Sequence, residues 1–219
     1  MTPPRDDERP DAGPGAAEVG VGPHPRPWPD DDRLDPELLA GGDRRNVVDG
    51  YRYWRVEAIV ADLDRTRVPL HVAVENLRHD ANIGSIVRTA NAMNVAAVHV
   101  VGARRWNRRG AMVTDRYLHV HHHDDVAALV AWAAAQELPL VGLDNVDRAV
   151  PLETFALPRA CLLLVGQEGS GLSEAALAAC EAVLAIHQAG STRSINVGAA
   201  AAIAMHAWVR QHVLGQLPD

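Results

Sequence analysis

A chain of 219 residues with 47% apolar side chains can bury a core of its own, and its length fits one domain or two small ones. A net charge of −7 argues against a broadly basic nucleic-acid binder, yet residues 1–43 carry eleven acidic residues against four arginines, so the remainder is neutral. The acidic start reads as no secretory leader, and the longest small-apolar run, Val197–Met205, is too short to cross a bilayer.

Residues 1 to about 28 are rich in Pro, Gly, Ala and Asp without apolar periodicity, which predicts disorder. The acidic character continues to Asp43, so residues 1–43 are read as a tail, and a chain cut near Asp43 is expected to fold without it. Pro36-Glu-Leu-Leu-Ala40 and Tyr51–Asp62 suggest short helices, and residues 44–67 read as a helical extension covering a larger domain at 68–219.

From residue 68 strand-like and helix-like segments alternate. Strands are predicted at Val68–Val74, Ala96–Val101, Pro139–Leu143, Cys161–Val165 and Ala182–Ile186. Helices are predicted from about Asn82 to Met93, at Asp124–Gln136 with Asp124 or Asp125 as cap, at Ser173–Cys180, and at Asn196–Leu214. This alternation implies an α/β fold with a mostly parallel sheet covered on both faces. Cys161 and Cys180 lie in such segments without metal-ligand spacing and read as buried, reduced thiols of a cytoplasmic protein.

Three polar segments stand out among the aliphatic ones. The first runs from Asn82 through Gly84 to Arg88, which lies among Ile86, Val87, Ala90 and Ala92, where an unpaired charge is costly. An N-cap with a snorkelling arginine accounts for it as well as a site does. The second, Gly166-Gln-Glu-Gly-Ser-Gly-Leu-Ser173, joins a strand to a helix, where α/β sheets place ligands. It fits neither the Walker nor the dinucleotide glycine pattern, and Glu168 would repel phosphate, so it is either a tight turn or a loop for a ligand offering donors. In the third, Ile186–Val197, Ser194 or Asn196 would serve equally as a helix cap.

In this order, Asn82–Ala90, Gly166–Ser173 and Ser194–Val197 resemble the three motifs of the SpoU (TrmH-like) RNA 2′-O-methyltransferases of the SPOUT superfamily, and the resemblance covers about residues 68–214. It implies a SPOUT-type parallel sheet flanked by helices, with a C-terminal trefoil knot. It also implies S-adenosyl-L-methionine (AdoMet) as cofactor, a homodimer built on the helix from Asn196 and the first-motif helix, and methylation of a ribose 2′-hydroxyl in tRNA or ribosomal RNA. Carried over residue by residue, catalysis falls on Asn82, Arg88, Glu168, Ser194 and Asn196. Cofactor contacts fall on Leu143, Gly166, Gly171, Ile186, Gln188, Ser194 and Ile195. Gln167 replaces the family's usual Asn, and His187-Gln188 replaces its Pro-Met. Two versions of the chemistry fit: burial makes Arg88 a base, or Arg88 orients an RNA phosphate that takes the proton.

Arg104, Arg105, Trp106, Arg108 and Arg109 combine phosphate-binding cations with a stacking face and are the expected RNA contact. A solvated loop around a buried Trp is the plainer reading of the same residues. The run His119-Val-His121-His-His-Asp-Asp125 resembles a metal tract only superficially; His119 and His121 alternate as one strand face does, and no metal is expected. Two other classes stay open: an AdoMet-dependent methyltransferase acting on a small molecule or peptide, and a non-catalytic AdoMet-binding dimer.

Overall fold

A computed structural model describes residues 20–75, 80–102, 114–167 and 169–218. These divide into two compact units, with the boundary between Arg55 and Val56.

The first unit departs from the expected tail. Residues 20–43 have defined conformation: Val21 bridges Asp43 antiparallel, Leu34 bridges Trp54, and α1 spans Pro36–Gly41 behind an Asp35 cap. Asp43 is fully buried. It accepts bonds from the Arg45 amide and guanidinium at 2.7–2.9 Å and from the Tyr53 amide at 3.0 Å. Burial alone would raise its pKa, but these hydrogen bonds hold it down to about 2. A cut near Asp43 therefore falls inside this unit, whose contacts, such as those of the buried Asp43 carboxylate, leave no trace in composition.

The second unit begins with α2 (Val56–Asp64) and builds a seven-stranded parallel sheet in the order β3-β2-β1-β6-β4-β7-β5. Its strands are β1 (Val68–Glu75), β2 (Val95–Val101), β3 (Val120–His123), β4 (Leu140–Leu143), β5 (Val150–Pro151), β6 (Cys161–Val165) and β7 (Ala182–Ala185). The helices are α3 (Asp80–Ala92), α4 (Val126–Ala135), α5 (Glu174–Ala179) and α6 (Val197–His212). Residues two apart on a strand share a face. Thus Val72, Val74, Val98, Val100, Leu163 and Val165 pack with Ile83, Ile86 and Val87 of α3 and with Met205 and Trp208 of α6. The intervening Ala73, Val101, Leu162 and Leu164 pack with Val126, Leu129 and Ala133 of α4 and with Leu172 and Ala176. Buried on both faces, the inner strands read as continuous aliphatic runs, which is why they were legible.

The expected caps Asp125, Ser173 and Asn196 are all in place. Asn82 is not a cap: α3 starts at Asp80 and Asn82 lies in its first turn. Cys161 is buried and Cys180 half-buried, both as free thiols, and burial pushes them up to about 12 and about 11. Among the described residues no helix is long and apolar enough to cross a membrane.

The histidines organise differently from the sequence expectation. His119 pairs with Asp64 at 2.9 Å, ahead of the strand. The fully buried His99 of β2 sits opposite His121 and links His71 Nδ1 at 3.1 Å to His123 Nε2 at 2.9 Å, beneath Trp132 of α4. Among the described residues no three His, Cys, Asp or Glu side chains are arranged to hold a metal ion. Burial first, then the neighbouring imidazoles, lowers His99 to about 2 and His71 to about 4. Below the unfolded value of 6.5 the unfolded chain takes up protons that the folded one refuses, so stability is full above that pH and falls as pH drops. Each imidazole that stays neutral contributes a slope of about 1.4 kcal/mol per pH unit. Melting temperature followed from pH 7 to 4.5 should fall continuously; a flat profile would contradict a neutral buried chain of histidines.

Candidate functional site

The carboxyl ends of β4, β6 and β7 converge on a cavity of about 450 Å³, where open parallel sheets place ligands. Of the expected cofactor residues, Leu143, Gly166, Gly171, Ile186 and Gln188 line it, followed along the chain by Ser194 and Ile195. Asn196 lines it as well. The glycines are there because backbone crosses backbone. A Cβ on Gly166 would stand 2.2 Å from the Gly171 carbonyl group, and Gly171 adopts φ +69. Gln167 and Gly171 exchange two backbone hydrogen bonds at 2.9 and 3.1 Å, closing the loop on itself.

Asn196 does two things. Its Oδ1 accepts the Gly198 and Ala199 amides at 2.9 and 3.2 Å, capping α6. Its Nδ2 donates to Oδ1 of Asn82 at 2.9 Å, so the first and third segments meet directly. Gly198 eases this approach, since a Cβ there would crowd Asn196 Oδ1 at 3.0 Å and Ser85 Oγ of α3 at 3.3 Å.

Arg88 is not among the lining residues. Ile83, Ile86, Val87 and Ala90 form the buried stripe of α3, whereas Ala81, Ser85, Arg88 and Ala92 recur at helical spacing on its exposed side. Of the expected apolar surroundings, Ile86, Val87 and Ala90 turn inward while Ala92 shares the exposed side, so within the single chain Arg88 is not buried. Glu168, Arg104, Arg105, Trp106, Arg108 and Arg109 lie outside the described residues.

Sequence reasoning missed Asp144, Asn145 and Arg193, which also line the cavity. Asp144 Oδ2 accepts the Leu172 amide at 2.8 Å, and Glu75, buried at the end of β1, accepts the Ser173 amide at 3.1 Å. Their position just after predicted strands was the available signal.

The residues present fit AdoMet. Leu143, Leu184, Ile186 and Val197 give apolar walls for a flat base, and the volume lies in the range of small-molecule sites. Gln188 Oε1 is buried with no hydrogen-bond partner, so a ligand carrying amino or hydroxyl donors is favoured there.

Residues 69–206 match the SpoU rRNA Methylase family. The tRNA (guanosine(18)-2′-O)-methyltransferase of Escherichia coli (strain K12) is 29% identical over 163 residues, covering 73% of this chain and 70% of that one. An uncharacterized tRNA/rRNA methyltransferase of Mycobacterium sp. (strain KMS) is 30% identical over 204 residues, 90% of this chain and 64% of the relative. The structure of the SpoU methyltransferase AviRb from Streptomyces viridochromogenes in complex with AdoMet aligns with a TM-score of 0.63 at 27% identity, over 70% of this chain and 65% of that one. The chain thus spans less than two thirds of the length of the last two.

Proposed function

Because the chain belongs to the SpoU rRNA Methylase family, we propose that it transfers a methyl group from AdoMet to a ribose 2′-hydroxyl of tRNA or ribosomal RNA. The observation that carries the reading is the Asn82–Asn196 hydrogen bond at the edge of a cavity lined by the glycine-rich loop. The E. coli relative acts on a guanosine of tRNA, which favours tRNA as the substrate.

AdoMet bound there would supply a methyl group on a sulfonium that can depart as a neutral thioether when the ribose oxygen takes the methyl. The protein then has to position the reactants and remove the hydroxyl proton. Leu143, Ile186 and Ile195 would hold the flat base, while backbone at Gly166 and Gly171 and the Gln188 amide would meet polar groups. Asn82 and Asn196, with Ser194 and Glu168, set the ribose. Arg88, exposed on α3, binds an RNA phosphate and aims it at the hydroxyl, whose proton the phosphate accepts. The Arg104–Arg109 segment carries further backbone contacts.

We place the homodimer interface on the exposed stripe of α6, which includes Ile203 at 43% exposure, together with the Arg88 stripe of α3. That arrangement brings Arg88 to a neighbouring subunit's surface. The chain after β7 is taken to thread a loop, as a trefoil knot requires, and the protein to act in the cytoplasm.

Two experiments bear on this reading. RNA should stimulate AdoMet turnover with a steep fall as salt rises. Turnover indifferent to RNA would favour a small-molecule or peptide substrate, and AdoMet binding without turnover a non-catalytic dimer. Asn196→Ala removes the cap of α6, about 1 kcal/mol, and the partner of Asn82, so it should weaken AdoMet binding and slow transfer together. Normal activity would remove Asn196 from the site.

A further inference from the structure

The third segment is a wall between two cavities. Asn145, Ile186, Gln188 and Arg193 line both the 450 Å³ cavity and a neighbouring one of about 410 Å³ that Pro151, Glu153 and Thr192 complete. Residues 188–195 form no strand or helix. Among the described residues, one hydrogen bond ties this stretch to the rest of the unit: Asn145 Nδ2 donates to the Arg193 carbonyl at 3.1 Å. Asn145 is itself held from behind. Its amide donates to Asp144 Oδ1 at 2.7 Å, while Asp144 Oδ2 takes the Leu172 amide at 2.8 Å. Gly171 packs so closely on that carboxylate that a Cβ there would lie 2.3 Å from Oδ2.

We propose that Asn145 is a positioning residue for the cofactor, a latch setting the 188–195 wall against the cavity, and that Asp144 anchors the latch to the glycine-rich loop. The proposal rests on the AdoMet reading of the cavity. Eight residues without ladder hydrogen bonds pay the entropy of ordering when a ligand closes against them. A tie formed beforehand removes part of that cost and fixes the approach of Arg193 and Ser194, three and two residues ahead of the Asn196–Asn82 contact. One dipeptide at the end of β4 thereby sets both cofactor loops.

The test uses the full-length chain, with AdoMet binding by calorimetry, amide hydrogen exchange and melting temperature measured side by side. Asn145→Leu keeps the branched four-atom side chain and removes the donor; Asn145→Gln keeps a donor on a longer arm. The leucine variant should bind AdoMet roughly three- to tenfold more weakly, the loss of one hydrogen bond. Exchange should quicken across 188–195, with the melting temperature nearly unmoved because Asn145 is exposed. Asn145→Gln should recover much of both losses. Unchanged affinity and exchange in Asn145→Leu would overturn the latch, as would equal damage in the glutamine variant. Failure of the unmodified chain to bind AdoMet would overturn the functional reading and the cofactor half of the proposal, and the exchange data would still decide the latch.

Discussion

Arg88→Ala is expected to reduce methyl transfer to RNA by a factor of about a hundred or more, the scale of losing one charge-positioning group in a transition state. AdoMet affinity should stay essentially unchanged, because Arg88 does not line the cofactor cavity and belongs to the exposed stripe of α3. The fold should be indifferent too, since alanine is at least as good a helix former as arginine and exposed substitutions usually stay within about 0.5 kcal/mol. The diagnostic is therefore a split between binding and turnover. Parallel loss of AdoMet binding and activity would make the role of Arg88 structural; unimpaired turnover would remove it from the reaction.

Gly166→Ala should have the largest effect on the cofactor site itself. A methyl group at this position meets the carbonyl carbon and oxygen of Gly171 at 2.2 Å and the Leu172 amide nitrogen at 2.3 Å, all of them backbone. That backbone has little room to yield. Gln167 and Gly171 hold each other through two hydrogen bonds, and Asp144 holds the Leu172 amide. The loop must open, which should cost about 1–3 kcal/mol as overpacking does and reduce AdoMet binding by roughly tenfold or more. Gly169→Ala is the matched control in the same loop, because a Cβ there meets nothing within 4 Å. If both variants bind AdoMet equally, the crossing of Gly166 over Gly171 has no part in cofactor binding.

The order of strands and helices from residue 68 was legible because each inner strand is buried on both faces, so its apolar run is unbroken. Cys161–Val165 is recovered to the residue. Val150–Pro151 was not, because two exposed residues at a sheet edge carry no pattern. The unit at 20–55 was hidden for a related reason: its organisation depends on single contacts such as Asp43 with Arg45, which composition does not register. The second and third motifs fall on residues that line the cavity, since glycines and caps leave a local signature. Asp144 and Asn145 leave only their place after a strand, and an Asp-Asn pair there reads like any turn. Arg88 marks the opposite limit. Its sequence neighbours are apolar, but helical periodicity turns them inward and the arginine outward. His99 carried no signal of its own inside the predicted strand Ala96–Val101; only the pairing of the strands sets it opposite His121 and within reach of His71 and His123.

The most direct test is transfer of labelled methyl from AdoMet to total RNA separated by size, run with the unmodified chain and with Arg88→Ala. Label is expected in one RNA size class, carried as ribose 2′-O-methyl and absent with the arginine variant. Absence of RNA label despite clear AdoMet binding would contradict the proposed function, and would move the reaction to another substrate or leave the chain a cofactor-binding protein.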